Sequence, residues 1–296
     1  MTGTDDAELH RRFAEREQEI ETYARTWWTR QVEPQRSFFR TRPGLRRDIV
    51  LAYANGTLGK ITTYGLYRGE SEWVPERSAL HREVLDSLLG RVPMGAGTAG
   101  DPVYLTIGLP GSGKTSALRP IALAHAGHPS TLGVSDADEV RVSLPEYASG
   151  LGSGVVQGET EVLTYGTPGY PPQGGLQDRV CGRSGAVIVD VVGSATYLPG
   201  VVRKLVDQGR TVYLLMTECP IDVCIARAMQ RAVQPEGRLV GLEFIRTKEG
   251  VPQAALTAAL ATGLVSGWGV VDTTQQPVQL VEGDGTFEPA VASLNE

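Results

Sequence analysis

The sequence predicts an α/β protein: a parallel sheet flanked by helices, preceded by a mainly helical N-terminal segment. Three observations carry this reading. From Asp101 onward, short apolar runs bounded by turns alternate with helical segments, the pattern of strand–helix–strand units. Before that point, apolar residues recur at helical rather than strand spacing. At the first strand–helix junction lies a glycine-rich loop of defined pattern, Gly108 to Thr115.

In chain order, the first predicted helix covers Ala7 to Trp28, with Leu9, Phe13, Ile20, Ala24 and Trp27 on one stripe. A second runs from about Pro75 to Leu89 and turns Leu80, Val84, Leu85 and Leu88 inward. The Gly- and Pro-containing stretch Arg91 to Asp101 reads as a linker, so the expected division is a helical segment over 1–98 and an α/β domain over 99–296. Within the second part, strands are predicted at Val103–Ile107, Thr131–Val134, Ala186–Asp190, Thr211–Met216 and Trp268–Val271. Helices are predicted at Ser116–Ala126, Tyr197–Asp207, Ile221–Ala232 and Gln253–Leu264. The stretch Ser149–Gly185, rich in Gly and Pro, reads as mostly loop. Met216 and Trp268 are assigned to the core, and His125 and His128 to the surface.

Composition narrows the function classes. The chain has 296 residues, 41% of them hydrophobic, enough to bury a core. Its net charge of −6 excludes a global basic field for nucleic acid or an anionic membrane. The local cluster from Arg36 to Arg47 reads as a helix end and turn with solvated Arg and buried Phe38 and Phe39. The longest uncharged run, Val251 to Val271, is broken by Pro252, Gly263 and Gly267 and is a poor membrane span. The N-terminus, with Asp5 and Asp6, carries no apolar signal segment. Cys181, Cys219 and Cys224 form no CxxC pattern, which fits a reduced, cytoplasmic protein without a disulfide scaffold. No nucleic-acid or membrane partner is therefore expected.

One motif is specific. Gly108-Leu109-Pro110-Gly111-Ser112-Gly113-Lys114-Thr115 matches the phosphate-loop pattern G-x-x-x-x-G-K-[ST] at every defined position, with a strand before it and a helix after it. Glycines let the backbone wrap so that its N–H groups face phosphate oxygens, helped by the helix N-terminus. Lys114 supplies a compact cation for the β- and γ-phosphates, and the Thr115 hydroxyl suits Mg²⁺. Only four of the 28 basic residues are Lys, which makes a Lys at this place more telling. No guanine-recognition N/T-K-x-D run follows, so ATP is the expected nucleotide.

Other charged residues cluster after predicted strands. Asp136 and Asp138 follow the second strand, where one carboxylate can orient a neighbour while the other serves as general base toward an acceptor hydroxyl. Asp136 is expected to orient backbone or Arg141, and Asp138 to take the proton. Asp190 ends an apolar strand, as an acidic residue that reaches Mg²⁺ directly or through water does. Arg231 and Arg238 flank the helix-breaking Gln234-Pro235-Glu236-Gly237 and suit an arginine lid over a transferring phosphoryl group; Arg227 divides evenly between lid and solvated helix face.

Together the Gly108–Thr115 loop, the run Asp136-x-Asp138-x-x-Arg141 and the following Pro145 and Tyr147 resemble the zeta-toxin family of phosphate-loop kinases. Asp190 and the Arg231/Arg238 pair extend the resemblance, and Pro75-Glu76-Arg77 with Leu80-His81 looks like the lead-in helix of longer relatives. It covers roughly residues 75–275. The resemblance implies a P-loop kinase-type parallel sheet and an ATP- and Mg²⁺-dependent kinase. The implied acceptor is a UDP-activated amino sugar, commonly UDP-N-acetylglucosamine at its 3′-hydroxyl, and an antitoxin protein restrains the activity. It implies Asp138 as general base, Asp136, Arg141 and Asp190 at the substrate, and Glu159 or Glu161 as the additional Glu. The chain departs where the family has acidic-Gly-Thr: here it reads Asp190-Val191-Val192-Gly193, and Val192 cannot donate the hydrogen bond to a sugar. That departure keeps open a kinase for another hydroxylated metabolite or a nucleoside antibiotic. A nucleotide-dependent switch module without an acceptor is the third reading.

Overall fold

A computed structural model describes residues 3–32, 62–68, 72–93, 100–127, 132–148, 152–234, 239–275 and 277–295. The Arg36–Arg47 cluster, His128 and Arg238 lie outside the described residues. Contacts sort the chain into two compact units. One comprises Met1–Leu88, Ala137–Gly175 and Met229–Leu239; the other comprises Leu89–Asp136, Leu176–Ala228 and Val240–Glu296.

The second unit holds a six-stranded sheet of β1 (Pro102–Ile107), β2 (Gly133–Ser135), β3 (Val187–Val191), β4 (Thr211–Glu218), β5 (Gly267–Asp272) and β6 (Gln279–Gly283), in the order β2-β3-β1-β4-β5-β6. All neighbours are parallel except β5 and β6. The central strands read as near-continuous apolar runs because helices cover both faces of a parallel sheet. From β1 the chain builds β2 and β3 on one side and later β4 and β5 on the other. The crevice beyond the carboxyl end of β1 is therefore the topological switch point, where ligands bind in open α/β sheets.

The strand expectations hold within a few residues, and β6 goes beyond them. Its residues are mostly exposed and lack an apolar alternation. One face of the core gathers Tyr104, Leu118, Ile121, Ile188, Leu215, Val271 and Phe287. Helix α4 (Arg119–Ala126) follows the glycine-rich loop through a single π-turn, Lys114–Leu118. His125 is half-buried among aromatic rings rather than a free surface residue. Its ring accepts or donates a 2.8 Å hydrogen bond with the Tyr104 hydroxyl and lies 4.8–4.9 Å from the Phe287 and Tyr213 rings. Trp268 is half-buried rather than core, whereas Met216 is buried as expected.

The first unit is helical. Its α1 (Gly3–Val32) buries Leu9, Phe13 and Ala24, with Ile20 and Trp27 half-buried; α2 spans Thr63–Tyr67, and α3 (Pro75–Gly90) turns Val84, Leu85 and Leu88 inward. The expectation of loop over 149–185 is overturned: α7 (Gly152–Tyr165) and α8 (Leu176–Arg183) occupy most of it, the latter in the second unit. Helix α7 packs on α2 and on the short α5 (Ala137–Val142) and α6 (Pro145–Ala148). Gly158 serves that packing, since a Cβ there would lie 3.3 Å from Tyr64. Burial of one face outweighs the roughly 1 kcal/mol propensity cost of each helical Gly.

Candidate active site

The glycine-rich loop is shaped by close approach. Gly111 has φ +82°, and a Cβ there would fall 2.2 Å from the Cys224 carbonyl oxygen; one on Gly108 would fall 2.0 Å from Thr217 Oγ1. Only Gly fits either place. Side chains from the neighbouring strand ends then fix the loop. Thr217 Oγ1 donates to Ser112 Oγ at 2.7 Å, and Thr273 Oγ1 donates to the Ser112 carbonyl at 2.7 Å. Arg227 donates through Nη2 to the Thr273 carbonyl at 2.7 Å. Arg227 thus braces the loop's support, a role the even reading of its helix position left unassigned.

Lys114 folds back over this turn, donating from Nζ to the carbonyls of Gly108 at 2.6 Å and Leu109 at 3.3 Å. The ammonium therefore sits at the loop it would share with an anion. Thr115 is exposed at the first turn after Gly113, itself at φ +89°. Gly108 through Thr115 thus form one continuous turn leading into a helix, the geometry a polyphosphate requires. The Thr115 hydroxyl is open to a cation. Asp190 offers a cation only the lone pairs left by its partners.

Those partners reveal a residue the sequence reading missed. Register places Thr106 of β1 beside Asp190 of β3. The Thr106 hydroxyl donates to Asp190 Oδ1, and Arg119 donates from Nη2 to Asp190 Oδ2 at 2.5 Å and to Asp136 Oδ2 at 2.6 Å. One guanidinium therefore bridges two of the candidate carboxylates at the strand ends. Arg119 and Asp136 are each less than a fifth exposed, at 19% and 17%.

Asp138 and Arg141 fall in the helical unit. They form an ion pair as i,i+3 neighbours on α5, and Arg141 also donates to Gln157 at 2.8 Å. Arg141 pairs with Asp138, and Asp136 with Arg119, because Asp136 stops short of the helix face that the other two share. Asp138 keeps 30% of its side chain exposed, whereas Arg141 is buried. Gln157 passes the chain on to Glu161 at 2.9 Å.

Glu159, a candidate for the substrate, is instead an interior charge. It is fully buried, held by Arg77 at 2.5 and 2.7 Å and by His81 Nε2 at 2.5 Å. Arg77 also grips Glu146 through two bonds of 2.8 Å, and His81 Nδ1 meets the Tyr170 hydroxyl at 2.5 Å. The Pro75–His81 lead-in helix thus contributes the centre of a buried network joining α3, α6 and α7. Arg231 is exposed in the last turn of α10 (Ile221–Ala232), within the helical unit.

Beside the loop, a cavity of about 700 Å³ opens at the ends of β4 and β5, bounded by Leu109, Ser112, Cys219, Asp272 and Thr274 and by the start of α12 (Val251–Leu260). At the end of β3, Val191 and Val192 are half-buried; the nearest following hydroxyls, Ser194 and Thr196, bond to each other at 3.0 Å. Among the described residues, no group of three or more His, Cys, Asp or Glu side chains forms a metal cluster, and no helix is long and apolar enough to cross a membrane.

Sheet order, switch-point loop and flanking helices define a phosphate-loop α/β fold. No protein-family model and no curated relative matches the sequence. Solved structures share the fold. A chain of the AvrRxo1-ORF1:AvrRxo1-ORF2 crystal structure with sulphate ions matches at TM-score 0.52 and 18% identity, over 71% of this chain and 68% of that one. The crystal structure of the same pair with ATP matches at 0.51, with the same identity and coverage. A chain from the PezAT chromosomal toxin-antitoxin system of Streptococcus pneumoniae matches at 0.47 and 13% identity, over 75% of this chain and 87% of that one.

Proposed function

We propose that this protein is an ATP-dependent kinase of the zeta-toxin type. It transfers the γ-phosphoryl group to a hydroxyl of a small molecule, with a UDP-activated amino sugar such as UDP-N-acetylglucosamine as the first candidate. The observation that carries the proposal is the phosphate loop held open by Thr217, Thr273 and Arg227, with Lys114 folded over it. The fold shared with a structure solved with ATP supports the choice of nucleotide. That structure pairs two gene products, which supports a protein partner in the manner of an antitoxin.

Each residue has a role in this reading. Lys114 leaves the Gly108 and Leu109 carbonyls for the β- and γ-phosphates, while the N–H groups of Gly111 to Thr115 surround their oxygens. The Thr115 hydroxyl holds Mg²⁺, which when bound neutralises phosphate charge. Asp138 accepts the acceptor hydroxyl's proton. Arg141 fixes the Asp138 carboxylate, and Arg119 fixes Asp136 and Asp190 as a hydrogen-bonding pair for the acceptor. Arg231 and Arg238 neutralise the transferring group. Positioning and charge supply most of the rate, because the transition state is largely dissociative. Free cysteines and a lack of long apolar helices among the described residues accord with a cytoplasmic setting.

Val191-Val192, in place of the family's Gly-Thr, favours a second reading in which the acceptor is another hydroxylated metabolite or nucleoside. Incubation with ATP, Mg²⁺ and a panel of UDP-sugars and nucleosides, followed by mass analysis, separates the two. A phosphorylated UDP-sugar supports the first reading and a phosphorylated nucleoside the second. ATP hydrolysis with every acceptor unmodified would point to a switch module instead.

A further inference from the structure

We propose that Cys219 is a reactive thiolate, open from the cavity beside the phosphate loop to hydroperoxides and other soft electrophiles, and that Cys224 is its resolving partner. The Cys224 N–H donates to the Pro220 carbonyl at 3.1 Å, so Pro220 caps helix α10. Cys219 and Cys224 therefore occupy the position before the cap and the fourth helical position, a pair that meets across the first turn. Cys224 Sγ donates to the Cys219 carbonyl at 3.7 Å.

The surroundings favour negative charge on Cys219. Arg227 Nη1 lies 3.7 Å from its sulfur, held there by its bond to the Thr273 carbonyl. The N-terminus of the 12-residue helix α10 adds a positive dipole end. The neighbouring Cys224 thiol, then Thr273 and the charge of Arg227, bring the Cys219 thiol below its ordinary value, against burial and the opposing charge of Asp272. Cys224 moves the other way, raised by the neighbouring Cys219 thiol and by its full burial. Cys181 is an internal control: it is buried on α8, and burial pushes its thiol up to about 11.

Accessibility separates the three as well. Cys219 is half-exposed and lines the 700 Å³ cavity, whereas Cys181 and Cys224 are buried. With a hydroperoxide, the Cys219 sulfur attacks an oxygen; the S–O bond forms as the O–O bond breaks, and the departing oxyanion takes a proton from solvent. The Cys224 sulfur, losing its proton, then attacks the sulfenic sulfur. The S–S bond forms, the S–O bond breaks, and hydroxide leaves with that proton as water. Two thiols lose two electrons in total, and the peroxide gains them. The bridge would form on backbone that touches the loop, since the Cys224 carbonyl oxygen packs against Gly111.

The test uses the full, reduced chain and does not depend on nucleotide chemistry. Iodoacetamide labelling is followed against pH by fragment masses. Cys219 should reach half its maximal rate well below the pH at which an ordinary thiol does, with Cys181 and Cys224 essentially unlabelled at pH 7. Hydrogen peroxide should remove two hydrogens from the peptide that carries both Cys219 and Cys224. In Cys224→Ser, a dimedone adduct on Cys219 should replace that bridge. Labelling of Cys219 with the profile of an ordinary thiol, near 9, would overturn the proposal. So would peroxide treatment of the parent chain that leaves both thiols intact, a result that needs no variant to fold.

Discussion

Two arginines in this molecule each bridge two carboxylates, and they do opposite things. Arg77 joins Glu146 and Glu159 where all three side chains are at most 6% exposed, with His81 completing the cluster. Arg119 joins Asp136 and Asp190 at the carboxyl ends of strands, where 8–19% of each side chain still meets solvent. In the first cluster the donors and acceptors are matched inside one interior. In the second, the paired side chains keep contact with solvent. The same ion chemistry is structural where it is closed and available to a ligand where it is open. Burial, rather than residue type, separates the two.

Substitutions can break or sharpen that contrast. The largest effect is expected outside both clusters, at Asp138. Asp138→Asn should lower kcat by about 10²–10⁴-fold, the usual weight of a general base, with ATP affinity nearly unchanged. Steady-state kinetics with the phosphorylated acceptor decides it; Asp136→Asn should act more through KM. Next comes the closed cluster. Arg77→Met strips two buried carboxylates of their shared guanidinium, leaving only His81 beside Glu159, and should cost about 3–5 kcal/mol in denaturant unfolding. Activity per folded molecule should stay near the parent's, and a catalytic defect larger than the folding defect would erase the contrast.

Arg119→Gln should show the reverse balance. Losing charge-assisted bonds to Asp136 and Asp190 should weaken acceptor kcat/KM by about 10- to 100-fold, in line with about 1.5–3 kcal/mol for bonds to charged groups. Its midpoint of unfolding should move little, because the site is partly solvated. The smallest effect is on pH dependence. Burial alone would raise the Glu159 carboxyl, but hydrogen bonds from His81 and Arg77 hold it below its ordinary value of 4.5. A depressed folded value means stability that is complete above that ordinary value and lost as pH falls through the lower one. Glu159→Gln should therefore flatten the acid limb of the stability curve, measured by urea unfolding between about pH 5 and pH 3.

What the sequence disclosed follows the range of the interactions. The loop from Gly108 to Thr115 was legible as a tight turn between strand and helix, because its glycines answer to local backbone approach. The pair Asp138/Arg141 was legible as residues and misassigned as partners, for helical spacing joins these two and leaves Asp136 to another neighbour. Arg119 left no signal. Its partners lie 17 and 71 residues away and meet it only once β1, β2 and β3 align. Glu159 was misread for the same reason, since Arg77 is 82 residues distant. The stretch 149–185 was misread because its glycines suggested loop, whereas Gly158 serves close packing against Tyr64. His125 was sent to the surface because nothing in its own segment shows that Tyr104, Tyr213 and Phe287 surround it.

The central claim is that Lys114 and its loop hold ATP for transfer to a hydroxyl. The most direct measurement follows γ-labelled ATP with Mg²⁺ and a panel of UDP-sugars and nucleosides, for the parent chain and for Lys114→Ala. The account predicts label on one acceptor with the parent and a loss of at least about 10²–10³-fold in the variant, whose circular dichroism and unfolding midpoint stay close to the parent's. Equal transfer by a folded Lys114→Ala, or label released only as inorganic phosphate by the parent, would contradict it.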